Sequence, residues 1–314
     1  MEKVEGGNQT PITEFILLGF GNVGDLQPLL FLLFLVIYIV SLGGNILIIV
    51  LVVADEQLHT PMYYLLGNLA CLETCFSSTI VPRLMVSLLT GDRIISVKGC
   101  LVQVYFFGVT SAIENLLLTA MSYDRYVAIC NPLRYAALMN GRVCGQLVAG
   151  SWVISFLGCA IVDIFLFQLT FCDSKEIDHF FCDFTPMLKL ACSDTRPLKL
   201  LAFAVAALLT FVPCLMTLAS YFCIIAAILR IPSTMGRKKA FSTCSSHLIV
   251  LAFYYGITIT VYVVPTANSA EVPNKIFSIF CTVLPPMINP VIYSLRNKEV
   301  KESLRKAVQK LAAL

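Results

Sequence analysis

The sequence predicts an all-α membrane protein: a bundle of seven transmembrane helices with the N-terminus extracellular and a short cytoplasmic amphipathic helix after span seven. Of the 314 residues, 58% are hydrophobic and 13% charged, whereas soluble domains carry about a quarter charged residues. Apolar runs of about 20 residues, enough to cross hydrocarbon as a helix, recur along the whole length. They fall near 27–53, 61–86, 99–122, 143–169, 198–230, 240–264 and 275–294. The chain divides into an extracellular segment 1–26, a membrane domain 27–294 and a cytoplasmic tail 295–314. The main polar interruption, around 170–197, is too short for a soluble domain.

Basic residues set the orientation. The N-terminus and the even loops hold scattered ones: Lys3, Arg93, Lys98, Lys175, Lys189, Arg196 and Lys275. The odd loops and the tail hold more, including Arg134, Arg237, Lys238, Lys239 and the run from Arg296 to Lys310. The positive-inside rule then places the N-terminus outside and the tail in the cytoplasm. The polar, acidic leader lacks a small-residue cleavage site, so span one reads as a retained anchor. Asn8-Gln9-Thr10 on that leader is a glycosylation acceptor at Asn8.

Span one is uncharged, and Gly43-Gly44-Asn45 interrupts it. Two glycines allow close helix approach and a mid-membrane amide needs an interhelical partner, so this reads as a packing notch. Pro61 suits the first turn of span two. Spans two and three carry Glu73 and Glu114 near their centres. Carboxylates so placed must be neutral, paired or ion-bound.

Span three supplies a ruler. Cys100 and Arg125 are 25 residues apart. At 1.5 Å per residue that is roughly 37 Å, so they straddle the hydrocarbon core with Cys100 outermost. Thirteen cysteines cannot all pair, and Cys71, Cys159, Cys223 and Cys281 lie inside spans. Cys100, Cys172, Cys182 and Cys192 fall on the outer side, enough for two disulfides whose connectivity spacing leaves open among three. His179, Cys182 and Asp183 match no zinc spacing. Span four holds Trp152, the single tryptophan, and Asp163 near its outer end. Pro213 frees a carbonyl in span five and permits a bend. Asn289-Pro290 loosens span seven near its inner end. Beyond it Val300, Leu304, Val308 and Leu311 recur at helical spacing among basic residues, as in a helix lying on an anionic leaflet.

Several stretches carry a family resemblance. They are Phe15 to Phe20, Leu58 to Tyr63, Met121 to Tyr135 with its Asp124-Arg125-Tyr126, Lys239 to His247, Tyr254-Tyr255-Gly256, and Pro286 to Asn297 with Asn289, Pro290 and Tyr293. In this order, each at the matching end of its span, they resemble the olfactory receptor branch of the rhodopsin-like G-protein-coupled receptors. Tyr254 departs slightly, since that branch usually has phenylalanine there. The resemblance implies disulfides Cys100–Cys182 and Cys172–Cys192. It also implies a mid-membrane sodium site, here Glu73 and Glu114, with glutamate where aspartate is usual at the first position. Two readings of that pair stay open: sodium coordination, or two protonated carboxyls bonded to neighbours. No other cofactor is implied.

The implied function is reception of a small, neutral volatile odorant. Amine-receiving cousins place an aspartate where Phe107 stands, so no counter-ion for an ammonium is found there. The expected cavity lies between spans three, five and six in the outer half of the bundle. Phe107, Gly108, Ser111 and Ala112 would line it from span three, Val205 and Leu209 from span five, and Tyr255, Thr258, Ile259 and Tyr262 from span six. Such a lining is mostly apolar with a few hydroxyls, as small-molecule pockets are. Asp124, Arg125, Tyr126, Tyr221, Asn289, Pro290 and Tyr293 would form the activation machinery that admits a heterotrimeric stimulatory G protein. Partners then include membrane lipids and trafficking chaperones, without nucleic acid, and the site of action is the plasma membrane. The same receptor working outside the nose on another small molecule is the alternative. A transporter would need a charged path and internal repeats, neither of which is present. Enzymatic motifs such as HExxH or GxSxG are absent as well.

Overall fold

The computed structural model describes residues 12–21, 24–172, 174–262 and 271–312. Asn8 lies outside them. Seven long helices occupy the expected places: Gln27–Ala54, Pro61–Thr90, Val97–Cys130, Gly141–Leu166, Arg196–Leu229, Thr234–Tyr262 and Glu271–Arg296. They are called spans one to seven below. The first five are each long and apolar enough to cross a bilayer. Span six begins in the basic Arg237-Lys238-Lys239 stretch, and Cys244–Gly256 is apolar among its described residues.

Local chemistry explains the ends. Pro28 and Pro61 open spans one and two, where an amide hydrogen would lack a partner in any case. Gly91 closes span two with φ of +72°, a left-handed conformation that favours glycine. The Ser96 hydroxyl accepts from Gly99 N–H and the Asn140 amide oxygen from Val143 N–H, capping spans three and four. Span five widens into a π turn at Ala207–Phe211 just before Pro213, so the bend expected there takes this form.

The bundle turns apolar side chains outward as well as inward. Leu29, Leu32, Val36 and Ile39 of span one, and Leu208, Phe211 and Leu215 of span five, are exposed. In water such a surface would aggregate; in a bilayer it meets lipid tails. Gly44 touches span seven: a Cβ there would stand 3.0 Å from both Cβ and Cγ of Pro290, while one at Gly43 would meet nothing within 4 Å. Asn45 completes the notch by donating its amide to the Pro286 carbonyl at 2.9 Å. Gly44→Val should therefore destabilise the bundle by about 1–3 kcal/mol through overpacking. Gly43→Val should be close to neutral, and thermal unfolding of the two detergent-solubilised variants compares them.

One feature lies outside an all-α reading. A small sheet of order β2-β1-β3 caps the Cys100 end, built from Glu14–Leu17 (β1), Ile94–Ser96 (β2) and Glu176–Ile177 (β3). The leader is its central strand, antiparallel to β2 with Phe15 opposite Ile95 and parallel to β3 with Ile16 opposite Glu176. Phe15 is fully buried, edge-on to Phe171 at 5.2 Å between ring centroids.

After span seven the chain bends by 80° into the tail helix Lys298–Ala312. Val300 and Ser303 are buried against the bundle, Leu304 is half-buried and Val308 is exposed. Lys306 Nζ donates to Gln57 Oε1 at 2.6 Å, and Tyr63 donates its hydroxyl to Asn297 Oδ1 at 2.9 Å. The Ser303 hydroxyl, followed by the Gln57 backbone amide, holds the Asp55 carboxyl below its ordinary range. The tail is thus tied to the first loop.

Candidate functional site

At the Arg125 end, Asp124 is fully buried and grips its neighbour. Its Oδ2 accepts from Arg125 Nε at 2.9 Å and Nη2 at 2.5 Å. Its Oδ1 accepts from the Tyr135 hydroxyl at 2.8 Å. Burial, then the Asp124 carboxylate, push the Tyr135 phenol well above its usual range. Tyr126 is half-buried and its ring lies 6.3 Å from that of Tyr123. Nearby, Tyr221 shares a hydrogen bond of 2.8 Å with His247 Nδ1, joining spans five and six. Tyr293 is buried, and its hydroxyl has no hydrogen-bond partner among the described residues. This end holds one closed ionic clamp, one tyrosine–histidine link and one idle phenol.

Nearer mid-bundle, the Asn289 amide donates to Glu73 Oε1, linking spans seven and two. Glu114 lies near Glu73, and its Oε1 is enclosed without a partner among the described residues. Oxygens of Asn45 and Asn115 are enclosed and unpartnered as well. Such hard oxygen donors suit a small hard cation, and Glu73 and Glu114 are the residues that would hold it. Thr119 bonds to Thr217 at 3.1 Å and to the Pro213 carbonyl at 3.1 Å, fastening span three to span five below the π turn.

At the Cys100 end, Cys100–Cys182 and Cys172–Cys192 are disulfides, with Cα separations of 5.4 and 5.9 Å. Phe107 packs between Phe76 at 5.6 Å and Phe181 at 5.1 Å, so a loop aromatic roofs span three. Ser111 is half-buried and Ala112 buried. Tyr255 is half-buried, its hydroxyl near Thr217 and Thr119. The side chains of Thr258, Ile259 and Tyr262 lie outside the described residues.

Span four packs against several of the expected lining residues. A Cβ on Gly108 would meet Cys159 Sγ at 3.6 Å. One on Gly158 would meet Leu209 Cδ1 at 3.0 Å and Val205 Cγ1 at 3.7 Å. Gly108, Val205 and Leu209 thus contact span four. The physical reason is the small face of span four, Gly158 and Cys159, which lets both neighbours close in. His247, Tyr135 and the Thr119–Thr217 pair were not read as partners, although Tyr135 and His247 sat inside motifs already singled out.

A buried acid–arginine clamp at one end of a seven-helix bundle, with a roofed half-buried region at the other, defines a rhodopsin-like seven-helix receptor. The structure of squid rhodopsin shares this fold, with a TM-score of 0.70 over 93% of this chain and 88% of that one at 18% identity. The family model for olfactory receptors matches residues 34–310. Olfactory receptor 5G9 of Mus musculus is 48% identical over 303 residues, 96% of each chain. Olfactory receptor 10A5 of Homo sapiens is 47% identical over 309 residues, 98% of each. The chain belongs to the olfactory receptor family, a multi-pass, non-enzymatic receptor class.

Proposed function

We propose that this chain is a plasma-membrane odorant receptor that binds a small, mostly neutral volatile between spans three, five and six in the outer half of the bundle and activates a stimulatory G protein, raising cyclic AMP. The Cys100 end faces outward in this reading, and the tail helix lies on the inner leaflet. The observation that carries the reading is the closed clamp at Arg125, near the buried Tyr293, whose hydroxyl has no partner among the described residues. A ligand that binds the open bundle better shifts the balance toward it. Opening releases Arg125 from Asp124, and the freed guanidinium and the Tyr293 phenol can then rearrange to form a cleft for the G protein.

The test is cyclic AMP in cells co-expressing an olfactory-type stimulatory G protein, over a panel of neutral volatiles, with surface display measured in parallel. Arg125→Ala should be displayed normally and silent to every ligand that activates the parent chain. Tyr135→Phe removes one hydrogen bond from the clamp, worth about 1 kcal/mol, and should raise ligand-free cyclic AMP several-fold. Full ligand response in a displayed Arg125→Ala variant would refute this coupling.

A further inference from the structure

A polar face of span four takes no part in the Arg125 clamp or the Glu73–Asn289 link. Ser151, Ser155, Cys159 and Asp163 follow one another at intervals of four and so share a face of span four. Ser151, Ser155 and Asp163 are each more than nine-tenths buried. Asp163 stands near the Cys100 end of span four, one turn beyond Cys159. Its Oδ1 is enclosed and accepts no hydrogen bond, and no lysine, arginine or histidine pairs with it among the described residues. Tyr105 cannot serve it well, because its hydroxyl is given to the Phe156 carbonyl at 3.3 Å. A buried acceptor left without a donor is costly, and native structures rarely leave one without a reason. Asp163 lies one turn beyond Cys159, on the span-four face that Gly108 approaches, and Gly158, beside Cys159, receives Val205 and Leu209.

We propose that Asp163 is the polar anchor of the odorant site and that it selects ligands carrying a neutral hydrogen-bond donor, above all alcohols. This rests on the receptor reading and adds the chemical class of the ligand. The hydroxyl donates to the Asp163 carboxyl, and the hydrocarbon part has to spread the close Gly108–Cys159 and Gly158–Leu209 contacts to lie between the helices. An ammonium fits less well. It would have to shed its water for a single carboxyl among apolar neighbours such as Leu166 and Val162, and such desolvation can exceed the ionic gain. Size selection belongs to Gly108 and Leu209, and donor selection to Asp163.

The experiment measures dose–response in cyclic AMP for straight-chain alcohols of several lengths, each against its methyl ether and the corresponding primary amine, alongside the general panel of volatiles. The parent chain should prefer an alcohol over its ether by tenfold to a hundredfold, on the order expected of a hydrogen bond to a carboxylate. Asp163→Leu should erase that preference while leaving responses to ethers and surface display intact. Asp163→Asn keeps a neutral acceptor and should show an intermediate preference, which provides a reading if the leucine variant fails to reach the surface. An unchanged alcohol preference in either displayed variant overturns the proposal. So does a parent chain that answers volatiles without preferring alcohols, or one that prefers the amines. Silence of a displayed parent chain toward every volatile counts against the receptor reading itself, which separates the two failures.

Discussion

Replacing Cys182 with alanine is expected to remove most of the receptor from the cell surface, the largest single effect foreseen for this chain. The Cys100–Cys182 disulfide closes a separation of 82 residues. In the chain-entropy picture that stabilises by about 4–5 kcal/mol. Helices that stay inserted already restrain the loop, so the figure is an upper bound. The local structure adds to the loss. Cys182 is fully buried, and its N–H donates to Gln103 Oε1 at 2.9 Å. The preceding Phe181 roofs Phe107, and β3 holds the leader strand in place. Cys172–Cys192 closes only 20 residues and should give about 3 kcal/mol on the same argument. Cys172→Ala is therefore expected to retain more surface receptor than Cys182→Ala. Flow cytometry of an N-terminally tagged chain compares them, and the opposite order would show that loop closure is not what the longer bridge supplies.

How legible this protein was in its sequence depended on the range of the interaction. Span positions came from hydropathy, a local property, and Pro61, Gly91 and Asn140 end or begin helices by purely local chemistry. The tail helix was legible too, since Val300 and Leu304 are spaced to share one face. The sheet was not. Glu14–Leu17 is too short for an alternation to stand out, and its partners lie some 80 and 160 residues away. Helical spacing also shows which residues share a face without showing which neighbour that face meets. The contacts of Gly108 with Cys159 and of Val205 and Leu209 with Gly158 could not be read from spacing. The same limit hid the Tyr221–His247 bond, whose members stand in separately recognisable motifs. Asp163 was visible as an acid in a span; only the fold shows that its Oδ1 has no partner among the described residues.

The second large effect is expected at the link between spans two and seven. Asn289→Leu removes the donor that Glu73 relies on, leaving a carboxyl only 2% exposed without its partner. A buried group stranded in this way costs about 1–3 kcal/mol, more if charged. The detergent-solubilised variant should melt several degrees lower than the parent chain. Glu73→Leu combined with Asn289→Leu should recover much of that loss, because removing both partners leaves no polar atom stranded. A double variant as weak as the single one would mean that Glu73 is held chiefly by other groups, Asn45 and Glu114 being nearest to hand. The same series separates the two readings of the carboxyl pair. If Glu73 and Glu114 hold sodium, replacing sodium by choline lowers the melting temperature of the parent chain and leaves the Glu73→Leu variants unmoved. Equal melting in both salts assigns the pair as protonated carboxyls. In that case Asn289 and the hydrogen bonds around it, rather than an ion, keep spans two and seven together until the bundle opens.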